Sequence, residues 1–200
     1  MSDEMPGLDA LLRAVSALAP GAEPVHAKIG FGLPLGSSLE GVAAYPADGH
    51  WLLVAYGLSE LDGKETDVPE FSGTGFEFSM RLRRGETDTV PPLWPFRVLA
   101  ALSQQVWEGA EFELGDWIVT SDALGGDPSM EGQTALAIVP DVALPRVDTP
   151  NGAVHLFQLV PLTAAEGAAV QQDGSVDAVI ADLAARDPLL AATPGRPGVR

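Results

Sequence analysis

Cysteine is absent from the 200 residues, which excludes disulfides and thiolate metal sites and points to a reducing, cytoplasmic compartment. Long apolar runs are missing as well, so no segment reads as a membrane span. Basic charge is scarce: 11 Lys and Arg stand against 28 Asp and Glu, a formal charge of −17. Such a field repels a phosphate backbone and argues against nucleic acid as a partner. The acidic opening, Met1 to Met5, has the wrong sign for a secretory signal. Histidine is limited to His26, His50 and His155, in three separate segments without paired spacing. Neither a metal site nor a cofactor is expected.

What the chain does have is enough to build a core. Apolar residues make up 46% and include four Trp and seven Phe, too many for a disordered chain. The 22 Gly and 17 Pro fall mostly between hydrophobic runs, where they punctuate elements. Leu8, Leu11, Leu12, Val15 and Leu18 have helical spacing and predict a helix over 7–19. Residues 29–38 read as a loop. Strands are expected over 39–45, 51–56, 76–83, 134–139 and 154–160, with a bent strand within 112–120. Helices are expected over 93–107 and 176–184, and a short one follows Thr163, whose capping-box partner is Glu166. Residues 62–75 read as the longest loop of the core region.

About six strands among four helices define an α/β or α+β single layered domain, its sheet mixed and largely antiparallel. The domain is placed at 1–190, with 191–200 as a flexible tail.

The strand over 76–83 is the most regular segment. Phe76, Phe78, Met80 and Leu82 form one row; Glu77, Ser79, Arg81 and Arg83 form the other. Period two sets the apolar row on a core and the polar row towards water or a partner. Catalytic motifs are missing. Ser59 lacks a GxSxG elbow and reads as a strand terminator, and Gly73-Thr-Gly75 is too short for a phosphate loop. Trp94 and Trp107 read as core.

Several words of the sequence occur in a telling order: His50-Trp51, Tyr56-Gly-Leu-Ser-Glu-Leu61, Phe71-Ser-Gly73, Gly75-Phe-Glu-Phe-Ser-Met-Arg-Leu82, Pro91-Pro-Leu-Trp-Pro95, Thr149-Pro-Asn-Gly152 and Phe157-Gln-Leu-Val160. Over roughly 25–190 the chain resembles the suppressor of fused family, as a bacterial single-domain member of its amino-terminal type. The resemblance implies a mixed sheet flanked by helices and a role in protein binding. Animal members hold a Hedgehog-pathway transcription factor inactive by gripping a peptide between two domains, through strand addition. This chain departs from the family pattern at Asp62, Leu52 and Trp117, where the family has Tyr, His and His, and in a shorter loop before Gly75.

The expected function is a non-enzymatic protein-binding domain, an immunity-like or regulatory factor that sequesters another protein. The strong acidity makes a basic partner the natural fit. Asp62, Glu77, Arg81 and Arg83 are the expected contacts. A hydrolase assembled from separate loops is one alternative. A structural domain that forms a homodimer through a sheet edge is another.

Overall fold

The computed structural model describes residues 5–27, 41–120 and 122–197. The predicted loop at 29–38 lies outside them. Among the described residues four α-helices are α1 (Pro6–Leu18), α2 (Trp94–Trp107), α3 (Ala164–Asp173) and α4 (Asp177–Arg186). The strands are β1 (Val25–Ala27), β2 (Gly41–Ala47), β3 (His50–Tyr56), β4 (Phe71–Arg83), β5 (Trp117–Val119), β6 (Gln133–Pro140), β7 (Arg146–Thr149) and β8 (Gly152–Thr163). They form one sheet in the order β1-β2-β3-β4-β8-β6-β5, with β7 paired to β8 beside β6. Every pairing is antiparallel except β4 with β8. The mixed, largely antiparallel sheet expected from the sequence is therefore what forms.

Both faces of this sheet are covered. Trp51, Leu53 and Ala55 of β3 join Phe76, Phe78, Met80 and Leu82 of β4 on the face packed by Trp94, Phe96, Leu99 and Leu102 of α2. Leu52, Val54 and Tyr56 point the other way, against Leu11 and Val15 of α1. Further along that second face, Ala135, Ala137, Val160 and Leu162 meet Val170 of α3 and Val179 and Leu183 of α4. A strand buried on both sides reads as a continuous apolar run, which is the pattern of β3. The polar row of β4 lies between the two apolar clusters of the second face.

That arrangement corrects the expected orientation of the row. Glu77, Ser79 and Arg81 are sealed, with Glu77 and Arg81 at 0% and 1% exposure; Arg83, at the strand end, is exposed. Period two separates an apolar row from a polar one. It does not reveal whether a helix covers the polar side.

Other differences are local. β4 starts at Phe71 within the expected loop, and β1 and β7 are short strands with no sequence prediction. Thr163 and Glu166 form the predicted capping box, opening α3. The segment 191–197, expected as a loose tail, is docked: the Ala192 amide donates to Arg81 O at 2.7 Å, and Ala191 and Ala192 are buried. Strand-like pairing of the backbone anchors it where its Pro and Gly content suggested freedom.

Candidate functional site

The chain between β3 and β4 is held by two carboxylates. Gly57, with φ of 128°, turns the backbone out of β3. The amides of Gly57, Leu58 and Ser59 then converge on Glu77 Oε1 at 2.9, 3.0 and 2.9 Å, and the Ser59 hydroxyl donates to the same oxygen at 2.7 Å. Successive amides wrapped round one anion form a nest. Burial pushes the Glu77 carboxyl up to about 7, against the pull of those four donors. Its Oε2 is buried without a hydrogen-bond partner.

Glu60 fixes the next stretch. Its Oε1 accepts the amides of Glu65 and Thr66, and Lys64 Nζ lies 3.1 Å from its Oε2. Desolvation works to raise this carboxyl, but the two amides and Lys64 hold it down at about 2. The backbone of Glu60 bonds to Ser72 Oγ at 2.9 Å and to Asn151 Nδ2 at 2.7 Å. Leu61 O accepts the Gly7 and Leu8 amides of the first turn of α1, donors that a helix cannot satisfy internally. Gly73, with φ of 55°, completes the clamp. A Cβ there would stand 2.7 Å from Leu58 O, so only glycine allows this approach of β4 to the loop.

The result is a preformed cleft of about 500 Å³, bordered by residues 57–63, Glu65, Thr66, Met5, Thr74 and Trp107. Trp107 stands at the end of α2 and is 50% exposed, in contrast to the expected core position. Burial falls away along the last turn of α2, where Gln105 and Trp107 are exposed and Val106 is half-buried, so the terminal residue lacks the cover of its predecessors. Asp62 and Glu65 are exposed at the cleft, whereas Lys64 is tied to Glu60. Across Thr74 a shallower apolar groove of about 480 Å³ runs between Phe71, Phe76, Phe112, Leu114, His155 and Phe157. Phe71 and Leu114 are 42% and 45% exposed there.

The four expected contacts are thus dispersed. Asp62 lies on the cleft and Glu77 lies beneath it. Arg81 is in a separate buried network, where its guanidinium grips Asp141 through Nη1 at 2.5 Å and Nη2 at 2.9 Å and Gln158 Oε1 at 2.9 Å. Arg83 pairs with Asp187 at 2.6 Å. Sequence reasoning misses Trp107 and Phe71 as surface residues. Their one sequence signal is position: each sits at the terminus of an element.

Among the described residues no group of three His, Asp or Glu side chains could hold a metal ion. His26, His50 and His155 lie on three different strands, and His50 Nδ1 is 2.9 Å from Asp48 O. Ser59 Oγ is engaged with Glu77. No helix among the described residues is long and apolar enough to cross a membrane.

These features define an α+β domain with helices on both sheet faces and a rigid loop cleft at one end. The chain belongs to the Suppressor of fused protein (SUFU) family, whose pattern matches residues 37–197. It is 32% identical over 130 residues to human Suppressor of fused homolog, covering 62% of this chain and 26% of the human protein, and matches the mouse homolog to the same extent. The match spans about a quarter of those relatives' length. A chain of the Sufu–Fu complex crystal structure superposes with a TM-score of 0.82 at 24% identity, covering 96% of this chain and 91% of that one. Drosophila Suppressor of Fused gives 0.69 at 25% identity, covering 80% and 43%. A SUFU homolog from Neisseria gonorrhoeae gives 0.67 at 16% identity, covering 98% and 97%.

Proposed function

We propose that this chain is a protein-binding regulatory domain that sequesters another protein by gripping a basic segment of it across the Thr74 ridge. The carrying observation is the cleft itself: a preformed, acidic pocket with a half-exposed tryptophan, with an apolar groove on the other side of Thr74. A Lys or Arg of the partner would enter beside Asp62 and Glu65 and lie over the Trp107 ring, a cation–π contact reinforced by the acids. An apolar side chain a few residues away would fill the groove beside Phe71 and Leu114. Family membership supports a partner that is a protein, and one of the similar crystal structures is that of a complex of Sufu with Fu. The surplus of acid favours a basic segment and would speed its approach. Neutralising a toxin, as an immunity factor does, would be a special case of the same grip.

The test is selection of displayed random peptides on the immobilised full chain, followed by titration of the enriched sequences. The expected motif pairs Arg or Lys with an apolar residue. Trp107→Ala and Asp62→Lys should each weaken binding by about tenfold or more while leaving the circular dichroism unchanged. Added salt should slow association more than it speeds dissociation. Failure to enrich any motif, or enriched peptides that bind both variants as tightly as the wild type, would refute the reading.

A further inference from the structure

A separate cavity of about 250 Å³ opens between the end of α4 and the segment 187–197, and it shares no lining residue with the cleft. Val160, Leu183, Leu190 and Ala191 give it apolar walls. One wall is unusually well fixed. Leu190 is the single described non-glycine residue with positive φ, at 51°. Asp187 imposes that turn: its two carboxylate oxygens accept the Leu189 and Ala191 amides at 3.1 Å each, and its carbonyl accepts the Leu190 amide at 2.9 Å. Arg83 pins Asp187 in turn, and Ala192 is bonded through its backbone to Arg81 and Arg83. Strain held in place by so many bonds is a feature to explain through function, since a relaxed loop would do for a chain end.

The charge of the cavity runs against that of the molecule. Arg83, Arg186 and Arg196 line it, three of 11 basic residues in a chain of net −17. Arg83 is matched by Asp187, and Arg196 by Glu166 at 2.5 and 2.7 Å. Arg186 is exposed and has no hydrogen-bond or ion-pair partner among the described residues. Among the described lining residues three arginines therefore stand against one aspartate, and only Arg186 lacks a carboxylate partner.

We infer that this cavity binds a small monocarboxylate with an apolar body, its two oxygens on the Arg186 guanidinium and its hydrocarbon against Leu183 and Leu190. A planar guanidinium fork matches a carboxylate in bidentate fashion. Among the described residues Arg186 is the one lining arginine without a carboxylate partner, which suits a monoanion better than a phosphate dianion. The volume of about 250 Å³ gives room for a short chain or one ring against the apolar wall.

Isothermal titration of the full chain with octanoate tests this, with 1-octanol and octylamine as uncharged and oppositely charged controls. Octanoate should bind saturably at one site, with both controls weaker by about tenfold or more, the worth of a charge-assisted bond. Arg186→Gln, an exposed change, should cost octanoate about tenfold and leave octanol unaffected. Thr193→Trp, which fills the hollow, should abolish binding of both, with the urea midpoint checking that the fold survives. Asp62→Lys should leave octanoate binding untouched, since the peptide cleft is elsewhere. No saturable octanoate binding up to its solubility limit, octanol binding as tightly as octanoate, or no effect of either Arg186→Gln or Thr193→Trp would overturn the assignment.

Discussion

Glu77 and Asp141 are buried against the same face of one sheet, yet their protonation is driven in opposite directions. Desolvation pushes both upward. Asp141 has a full cation beside it: the Arg81 guanidinium, with help from Ser79 Oγ at 2.8 Å and the Ala143 and Leu144 amides at 3.0 and 2.8 Å, holds its carboxyl below the usual range. Glu77 has only dipoles, three amides and a hydroxyl, and ends at about 7. Neutral donors soften the burial of a carboxylate, but a paired charge is what reverses its effect. The two ends of the polar seam therefore do different work. Around Asp141 it cross-links β4, β8, the 141–144 turn and, through Gln158 Nε2 to Leu189 O at 2.9 Å, the carboxyl-terminal segment. Around Glu77 it shapes the floor of the cleft.

The largest expected effect comes from unbalancing the ionic end. Arg81→Met strands Asp141 as a buried, unpaired carboxylate and removes the donors that reach Gln158 and Ser79's partner. Loss of one member of a buried pair costs about 3–5 kcal/mol, which urea denaturation at pH 8 should register as a large fall in midpoint. A change within measurement error would mean that water reaches the seam and that the contrast with Glu77 is false.

The dipolar end should show itself through pH. Because the folded carboxyl titrates at about 7 and an ordinary glutamate at 4.5, the native state holds the extra proton between those values. Stability from this group is therefore greatest at and below the ordinary carboxylate range and is lost as pH rises to about 7, by about 3 kcal/mol in total. Asp141 acts in the opposite sense: its contribution is present at neutral pH and disappears as acid protonates it. Glu77→Gln keeps an oxygen for the three amides but cannot ionise. The difference in unfolding free energy between variant and wild type should grow in the variant's favour from pH 4.5 to 7 and stay level above. A flat difference across that range would show that Glu77 is ionised throughout, like Asp141.

The apolar half of this architecture is legible in the sequence, and the polar half is not. Leu52 to Tyr56 is apolar at every position, which places β3 at the centre of the sheet; Phe76 to Leu82 sets the alternation of β4, and Thr163 with Glu166 announces the start of α3. Those signals are local, because each depends on residues a few positions apart. The seam joins Arg81 to Asp141 and Glu77 to Gly57, separations of 60 and 20 residues, and no spacing rule connects them. One clue is present. If β3 is buried on both faces, its neighbour β4 is covered on both as well, so a polar row there has to be satisfied internally. The cleft is half legible: Asp62 reads as a surface contact, whereas Trp107 reads as core because helical periodicity does not show where along a helix its cover ends.

Arg83 gives the smallest effect and the sharpest control. It lies two residues beyond Arg81 on the same strand and also meets an aspartate, Asp187, at 2.6 Å. Its side chain is 44% exposed, against 1% for Arg81. Water at Arg83 already solvates both members of the pair, so removing the guanidinium leaves Asp187 hydrated and still able to accept the Leu189 and Ala191 amides. Exposed pairs contribute about 0.2–1 kcal/mol, so Arg83→Ala should lower the unfolding free energy by less than about 1 kcal/mol and lose most of that effect in 1 M salt. A cost near that of Arg81→Met would place the Asp187 turn inside the cooperative core, and burial would no longer account for the difference between the two arginines.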